Sequence, residues 1–384
     1  MIPYGKQEIS QADIDTVLEV LQSDFLTQGP AVPEFEKKIK NYCGVRHAVA
    51  VNSATSALHI ACLALDVGPG DIVWTSPITF VASSNCALYC GAKVDFVDTD
   101  PLTYNISVEA LHSKLEEAKK NGVLPKVLIP VHLTGQSCDM AEIHRLGKHY
   151  GFKIIEDASH AIGGKYLGEP IGNCAYSDIA IFSFHPVKII TTCEGGLATT
   201  NNKEIAEKLR LLRSHGVTRD KNQMENISNG SWYYEQILLG FNYRMTDIQA
   251  ALGISQMDRL DKFVNKRHEL AKRYDEKLKD LPLVLPWQNA DSYSSFHLYV
   301  VLYKPINAGK SFNEIFEFIR KEDIGVNVHY MPVYKQPYYR RLGFSENYCT
   351  EAEKYYQSAL SLPMYPGLTI ENQDKVINVL KSIF

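Results

Sequence analysis

Most of the short signatures that would fix a function are missing from this sequence. It has no Gly-x-Gly-x-x-Gly and no Gly-x-x-x-x-Gly-Lys, so dinucleotide and nucleoside-triphosphate binding lose their usual support. No apolar run approaches a membrane span, and Met1–Lys6 carries no signal-peptide core. A cytoplasmic chain with no membrane partner is therefore expected. Basic runs and Lys/Arg-rich helices are absent and the net charge is −4, which argues against a nucleic-acid partner. The eight cysteines are scattered, with no Cys-x-x-Cys pair and no cluster with histidine at zinc spacing. Cys86 and Cys90 can share a helix face, but two ligands make no metal site, so free thiols in a reducing compartment are expected. Internal repeats and low-complexity segments are also missing.

What remains is a chain of 384 residues with ordinary apolar and charged fractions, long enough for two domains. Ser10-Gln-Ala-Asp13 resembles a capping box ahead of an amphipathic helix, and a second helix is expected over 32–42, stopped by Gly44. Strand-like His47–Asn52 runs directly into a helix opened by Ser53-Ala-Thr-Ser56. Strand–turn–helix units then repeat: Asp71–Thr75 with Phe80–Tyr89, Lys93–Val97, Val127–His132 with Met140–Tyr150, and Lys153–Asp157. Ile179–Phe182 and Leu197–Thr200 complete the strands. This alternation implies an α/β fold, with a mostly parallel central sheet and helices on both faces. From Asp247 a long helical run is expected to about Leu278. A smaller C-terminal α+β domain follows, with strand-like His297–Leu302, a helix near Phe312–Lys321, and then Val326–Tyr330. We divide the chain into residues 1–255, with the N-terminal segment near the substrate groove, and residues 256–384.

In such sheets ligands gather at the carboxyl ends of the strands, and three features fall there. Ser53-Ala54-Thr55-Ser56 opens a helix, whose free N–H groups, positive dipole end and hydroxyls suit a phosphate; an N-cap without a ligand is the plainer alternative. Glu156-Asp157 ends a strand in a carboxylate able to face a cationic ring nitrogen, or merely to cap a turn. Lys188 stands in the uncharged stretch after Ser183, where burial would lower its pKa and make a reactive amine; otherwise it snorkels to water. Gly195-Gly196 beyond it allow a sharp turn or a close backbone approach. A phosphate cradle, a strand-end acid and an isolated lysine together meet the needs of pyridoxal phosphate.

The motifs Asn52-Ser-Ala-Thr-Ser-Ala-Leu58, Thr79-Phe-Val-Ala82, Glu156-Asp157, Phe182-Ser-Phe-His-Pro-Val-Lys188, Glu194-Gly-Gly196, Gly240-Phe-Asn-Tyr-Arg244 and Val328-His-Tyr-Met-Pro332 are spread along nearly the whole chain. With them the sequence resembles the DegT/DnrJ/EryC1/StrS sugar aminotransferases, which are fold-type I pyridoxal-phosphate enzymes. Its wording is similar to two branches. One makes a 4-amino-arabinose nucleotide. The other acts on a UDP-linked 4-keto-6-deoxy-N-acetyl-altrosamine in pseudaminic acid biosynthesis, and Leu26-Thr-Gln-Gly29 and Thr191-Thr192 look closer to this second branch.

The resemblance implies roles. Lys188 would hold the Schiff base to pyridoxal 5′-phosphate and move the proton. Asp157 would pair with the pyridine nitrogen and Phe80 would stack on the ring, with His160 near the ring hydroxyl. The Ala54 and Thr55 backbone and Ser183 would hold the phosphate. Asn242 would reach the phosphate of a neighbouring subunit, so a homodimer is implied. Tyr4, Asp24, Phe25, Leu26, Thr27, Asn327, Val328, His329 and Tyr330 would line the groove for the UDP-sugar. Many relatives carry Arg where Asn327 stands. L-glutamate is the expected amino donor. The family's dehydratase branch has His in place of the lysine, so Lys188 argues against it. A pyridoxal-phosphate-binding regulator would need a DNA-binding appendage, and none is visible.

Overall fold

Short apolar runs between amphipathic helices bury themselves as strands, and here seven of them share one sheet. The computed structural model describes residues 1–227, 230–304 and 309–383. The strands are β1 (His47–Val51), β2 (Ile72–Thr75), β3 (Lys93–Phe96), β4 (Val127–Ile129), β5 (Lys153–Asp157), β6 (Ile179–Ser183) and β7 (Gly196–Thr200). They lie in the order β1-β7-β6-β5-β4-β2-β3. β6, β5, β4, β2 and β3 pair in parallel, whereas β7 runs antiparallel to both β6 and β1. The carboxyl ends of the parallel strands thus open on one edge, the expected arrangement for an α/β ligand site.

Helix Gln11–Leu21 begins with the expected capping box: Ser10 N–H donates to Asp13 Oδ2 at 2.7 Å. The same buried carboxylate accepts from Ser255 Oγ (2.7 Å), from Gln256 Nε2 (2.9 Å) and from the Arg259 guanidinium. That cluster explains one departure from expectation. The long run from Asp247 is two helices, Asp247–Met257 and Leu260–Leu278. Tight bonds from Asp258 N–H to Ser255 O and from Arg259 N–H to Gln256 O end the first, and Arg259 turns its side chain toward Asp13.

A three-stranded antiparallel sheet, β8 (Leu283–Val284), β9 (Tyr299–Tyr303) and β10 (Ala359–Leu362), organises the C-terminal part. β9 begins two residues later than the sequence suggests, because the chain before it is tied elsewhere. Ser295 N–H donates to Gly135 O (3.1 Å) and Leu298 N–H to Thr134 O (3.3 Å). Residues 326–330 form no strand and make only an isolated bridge from Asn327 to Ser361. Helices Val108–Asn121, Lys203–Arg213 and Ile370–Ile383, which the sequence reading left unassigned, complete the helical layers. The N-terminal segment is drawn to this C-terminal part: Ile2 N–H donates to Asp323 O (2.7 Å), and Met364 N–H to Tyr4 O (2.9 Å). Among the described residues no helix is long and apolar enough to cross a membrane. No group of three or more metal-ligating side chains is found among them either.

Candidate active site

β1 delivers the chain to Ser53 in an extended conformation, and helix Ala54–Ala64 starts at once. Ser53 Oγ accepts from Ser56 N–H at 3.1 Å, while Ser56 Oγ donates to Asn52 Oδ1 at 2.7 Å. The cap is satisfied, so the first N–H groups of the helix, at Ala54 and Thr55, are left for whatever occupies the cavity they line. Gly196 makes this approach possible. A Cβ there would fall 2.4 Å from Ala54 N and from Ser53 C. The close backbone approach anticipated at the paired glycines is therefore an approach to the chain's own helix start.

Asp157 closes β5 and is almost fully buried, at 5 % exposure. Its Oδ2 accepts from Ser83 Oγ at 2.6 Å and its Oδ1 from Ser159 N–H at 3.1 Å. Two neutral donors fix the carboxylate without neutralising it, which leaves it free to face a cation. Lys188 sits in the loop between the antiparallel strands β6 and β7. That loop is pinned at its neck: Phe184 N–H donates to Gly195 O (2.9 Å), and Phe184 O accepts from Thr191 Oγ1 (2.9 Å) and Thr192 N–H (3.0 Å). Inside the cavity, desolvation pulls the Lys188 pKa down to about 8, with the Asp157 charge pulling the other way. No salt bridge engages Lys188 among the described residues, so its amine is available for chemistry.

Opposite these groups stand three histidines and a tyrosine. His160 Nε2 and the Tyr330 hydroxyl are 3.2 Å apart, and the rings of His160 and His297 lie 4.4 Å apart. Burial, reinforced by the Lys188 charge, holds His160 well below the usual histidine range and brings His329 down to about 4. Burial also depresses His297, with the charges of His160 and Lys188 adding to it. All three rings are neutral at pH 7. Phe80, 60 % exposed, presents its ring at the mouth, 6.4 Å from that of Tyr330.

One cavity of about 520 Å³ thus brings together Tyr4, Ala54, Thr55, Phe80, Asp157, His160, Ser183, Lys188, Asn327, Val328, His329 and Tyr330. Asp24, Phe25, Leu26 and Thr27 are not in it. They form an exposed loop held to the start of helix Asp247–Met257, where Asp247 N–H donates to Leu26 O at 3.0 Å. Asn242 is also exposed and outside the cavity, bridged to Ser214. Sequence reasoning missed Ser83, Ser159 and His297, which line the cavity too. Ser83 lies four residues after Thr79 on the motif already noted, and that spacing was the only available signal.

Residues 7–381 match the DegT/DnrJ/EryC1/StrS aminotransferase family. A UDP-4-amino-4,6-dideoxy-N-acetyl-beta-L-altrosamine transaminase from Campylobacter jejuni is 40% identical over 384 residues, covering 100% of this chain and 97% of the relative. Helicobacter pylori PseC, an aminotransferase involved in the biosynthesis of pseudoaminic acid, has a similar structure: TM-score 0.90 and 31% identity, over 100% of this chain and 99% of that one. The putative sugar aminotransferase Spr1654 from Streptococcus pneumoniae, solved in its PLP form, superposes with TM-score 0.88 at 29% identity, over 100% and 98% of the two chains. Pyridoxal phosphate is accordingly the cofactor, and the cavity suits it. Among the described residues the Asp157 carboxylate has no basic partner and the Lys188 amine no ion pair, and a helix start presents N–H groups to the same space. The chain belongs to the DegT/DnrJ/EryC1/StrS family and is a pyridoxal-phosphate-dependent sugar aminotransferase.

Proposed function

We propose that this enzyme moves an amino group from L-glutamate to the C4 keto group of a UDP-linked 4-keto-6-deoxy-N-acetyl-altrosamine, in pseudaminic acid biosynthesis. The observation that carries amino transfer is the convergence of Lys188, Asp157 and the Ser53 helix start on one cavity. The sugar rests on the 40% identity to the altrosamine transaminase. Bound pyridoxal phosphate supplies an electron sink and a carrier for the amino group. The chain's own residues do the rest. The Ala54 and Thr55 N–H groups and the Ser183 hydroxyl bind the phosphate, and Phe80 covers the ring. Asp157 holds the proton on the ring nitrogen, with its own orientation set by Ser83 and Ser159. Lys188 Nζ takes up the proton that leaves the donor's α-carbon and delivers one to the sugar's C4. Tyr4 and Asn327–Tyr330 form the groove for the nucleotide sugar. The enzyme acts as a homodimer, in which Asn242 and the loop Asp24–Thr27 reach the cavity of the second copy; both are exposed and lie outside their own.

The test supplies purified enzyme with glutamate and either the 4-keto-altrose or the 4-keto-arabinose UDP-sugar. Amine formed faster from the altrose compound is expected, and Lys188→Ala should slow it by about 10²–10⁴-fold. Preference for the arabinose compound would replace the sugar assignment. Undiminished turnover by Lys188→Ala would remove the mechanism.

A further inference from the structure

His297 is absent from every motif considered above, yet the fold gives it an expensive setting. The segment before β9 crosses behind His160 and is fastened to it on the backbone: Ser295 Oγ donates to His160 O at 2.6 Å. Gly135, at φ +109°, leaves room for that crossing, since a Cβ there would lie 2.4 Å from Ser295 Oγ and 3.0 Å from His160 O. On the other side Arg267, 1 % exposed, donates from Nη1 to the carbonyls of Phe296 (3.0 Å), His297 (3.1 Å) and Met364 (2.9 Å). No carboxylate pairs with this arginine among the described residues. Burying a guanidinium against carbonyls alone is costly, and burial brings its pKa down to about 9. So large an outlay is spent on fixing where residues 296 and 297 sit.

What that placement achieves is visible at the rings. His160 Nε2 meets the Tyr330 hydroxyl, but among the described residues His160 Nδ1 and His297 Nδ1 are both buried without a hydrogen-bond partner. The His160 ring thus has one hydrogen-bond tie, and it lies between two rings: that of Tyr330, stacked at 6.2 Å and 26°, and that of His297, closer at 4.4 Å and tilted by 48°.

We propose that His297 is a positioning residue for amino transfer: its ring wedges that of His160, so that His160 faces the cofactor while holding the Tyr330 hydroxyl. Through this contact, the chain leading into the C-terminal sheet sets the alignment of a group beside Lys188 and Asp157. The inference rests on the proposed function and on the place of His160 in the cavity that holds Lys188 and Asp157.

The test compares His297→Ala with His297→Phe, which keeps a flat ring and loses both nitrogens. A misplacement near the reacting atoms costs on the order of tenfold to a hundredfold in rate, so kcat of His297→Ala should fall by that much. KM for the UDP-sugar should stay within about twofold, because no contact to the nucleotide is lost. The visible absorption band of the bound cofactor should shift in His297→Ala without any substrate present, and His297→Phe should restore both band and kcat. If His297→Ala does not fold, His297→Leu takes its place in the same comparison. An unshifted band with wild-type kcat would overturn the proposal, as would a His297→Phe variant as impaired as the alanine. The absorption arm needs no turnover. Failure of the wild type to transaminate would therefore strike the proposed function, while the band still decides the role of His297.

Discussion

At Lys188 two opposing effects set the charge of one amine. Desolvation drives the pKa from 10.5 to about 8, and the Asp157 carboxylate limits the fall. Between those two values the unfolded chain carries a proton that the folded chain has released. The group's contribution to stability therefore rises with pH across that window, and below about pH 8 the full cost of enclosing an ammonium is present. Removing the carboxylate should let the pKa fall further. In Asp157→Asn, the pH midpoint for cofactor uptake by the apo-protein should move below that of the wild type, followed by visible absorbance; an unmoved or higher midpoint would contradict the electrostatic account. Lys188, Asp157 and the Ser53 cradle were legible in the sequence because each follows a strand, and strand ends are where an α/β sheet exposes its polar groups. Ser83, Ser159 and His297 were not. Their importance lies in what they touch, and Ser83 meets Asp157 across 74 residues of chain.

The elements show the same division. The seven strand positions of the central sheet and the helices tied to them could be read from short apolar runs, because periodicity is a local property. The break at Asp258 could not, since it depends on Arg259 reaching back to Asp13 near the other end of the chain. Nor could residues 326–330, whose apolar pattern suits a strand, while their only ladder partner is a single bridge to Ser361. Packing between elements gives a sharper experiment at the Gly196 start of β7. Gly196→Ala forces a Cβ against the Ser53–Ala54 backbone, and overpacking of this kind costs about 1–3 kcal/mol or more. Gly68→Ala has nothing within 4 Å of its new Cβ and serves as the control. Chemical denaturation should show a marked loss for the first variant only, together with weaker cofactor binding, because the phosphate cradle itself is displaced. Equal stability of the two would mean that the helix start yields.

For the whole molecule, the large apolar side chains outside the core need an explanation. Ile227 is 95% exposed, Leu239 79%, Trp232 71% and Phe80 60%. Exposed apolar side chains of this size are what an interface with a second copy would cover, and Phe80 among them lines the cavity. If sites are shared as proposed, Lys188→Ala and Asn242→Ala damage different halves of each site. Mixing the two inactive homodimers under conditions of subunit exchange should then restore up to about a quarter of wild-type turnover, because half the dimers are mixed and each contains one intact site. No recovery on mixing, with exchange verified by mass, would place Asn242 in its own copy's site or in none.

The reversed strand β7 carries a last consequence, one of order in time. β6 and β7 form a hairpin around Lys188 and can close over a short loop, whereas β1 pairs with β7 only after some 150 residues of intervening chain have been gathered in. The amine and the phosphate cradle are thus built at opposite extremes of sequence separation: one needs only its neighbours, the other about two-fifths of the protein. A half-folded chain can present the lysine but not the cradle. Tight retention of the cofactor is in this sense a certificate that the longest-range contact of the sheet has been made.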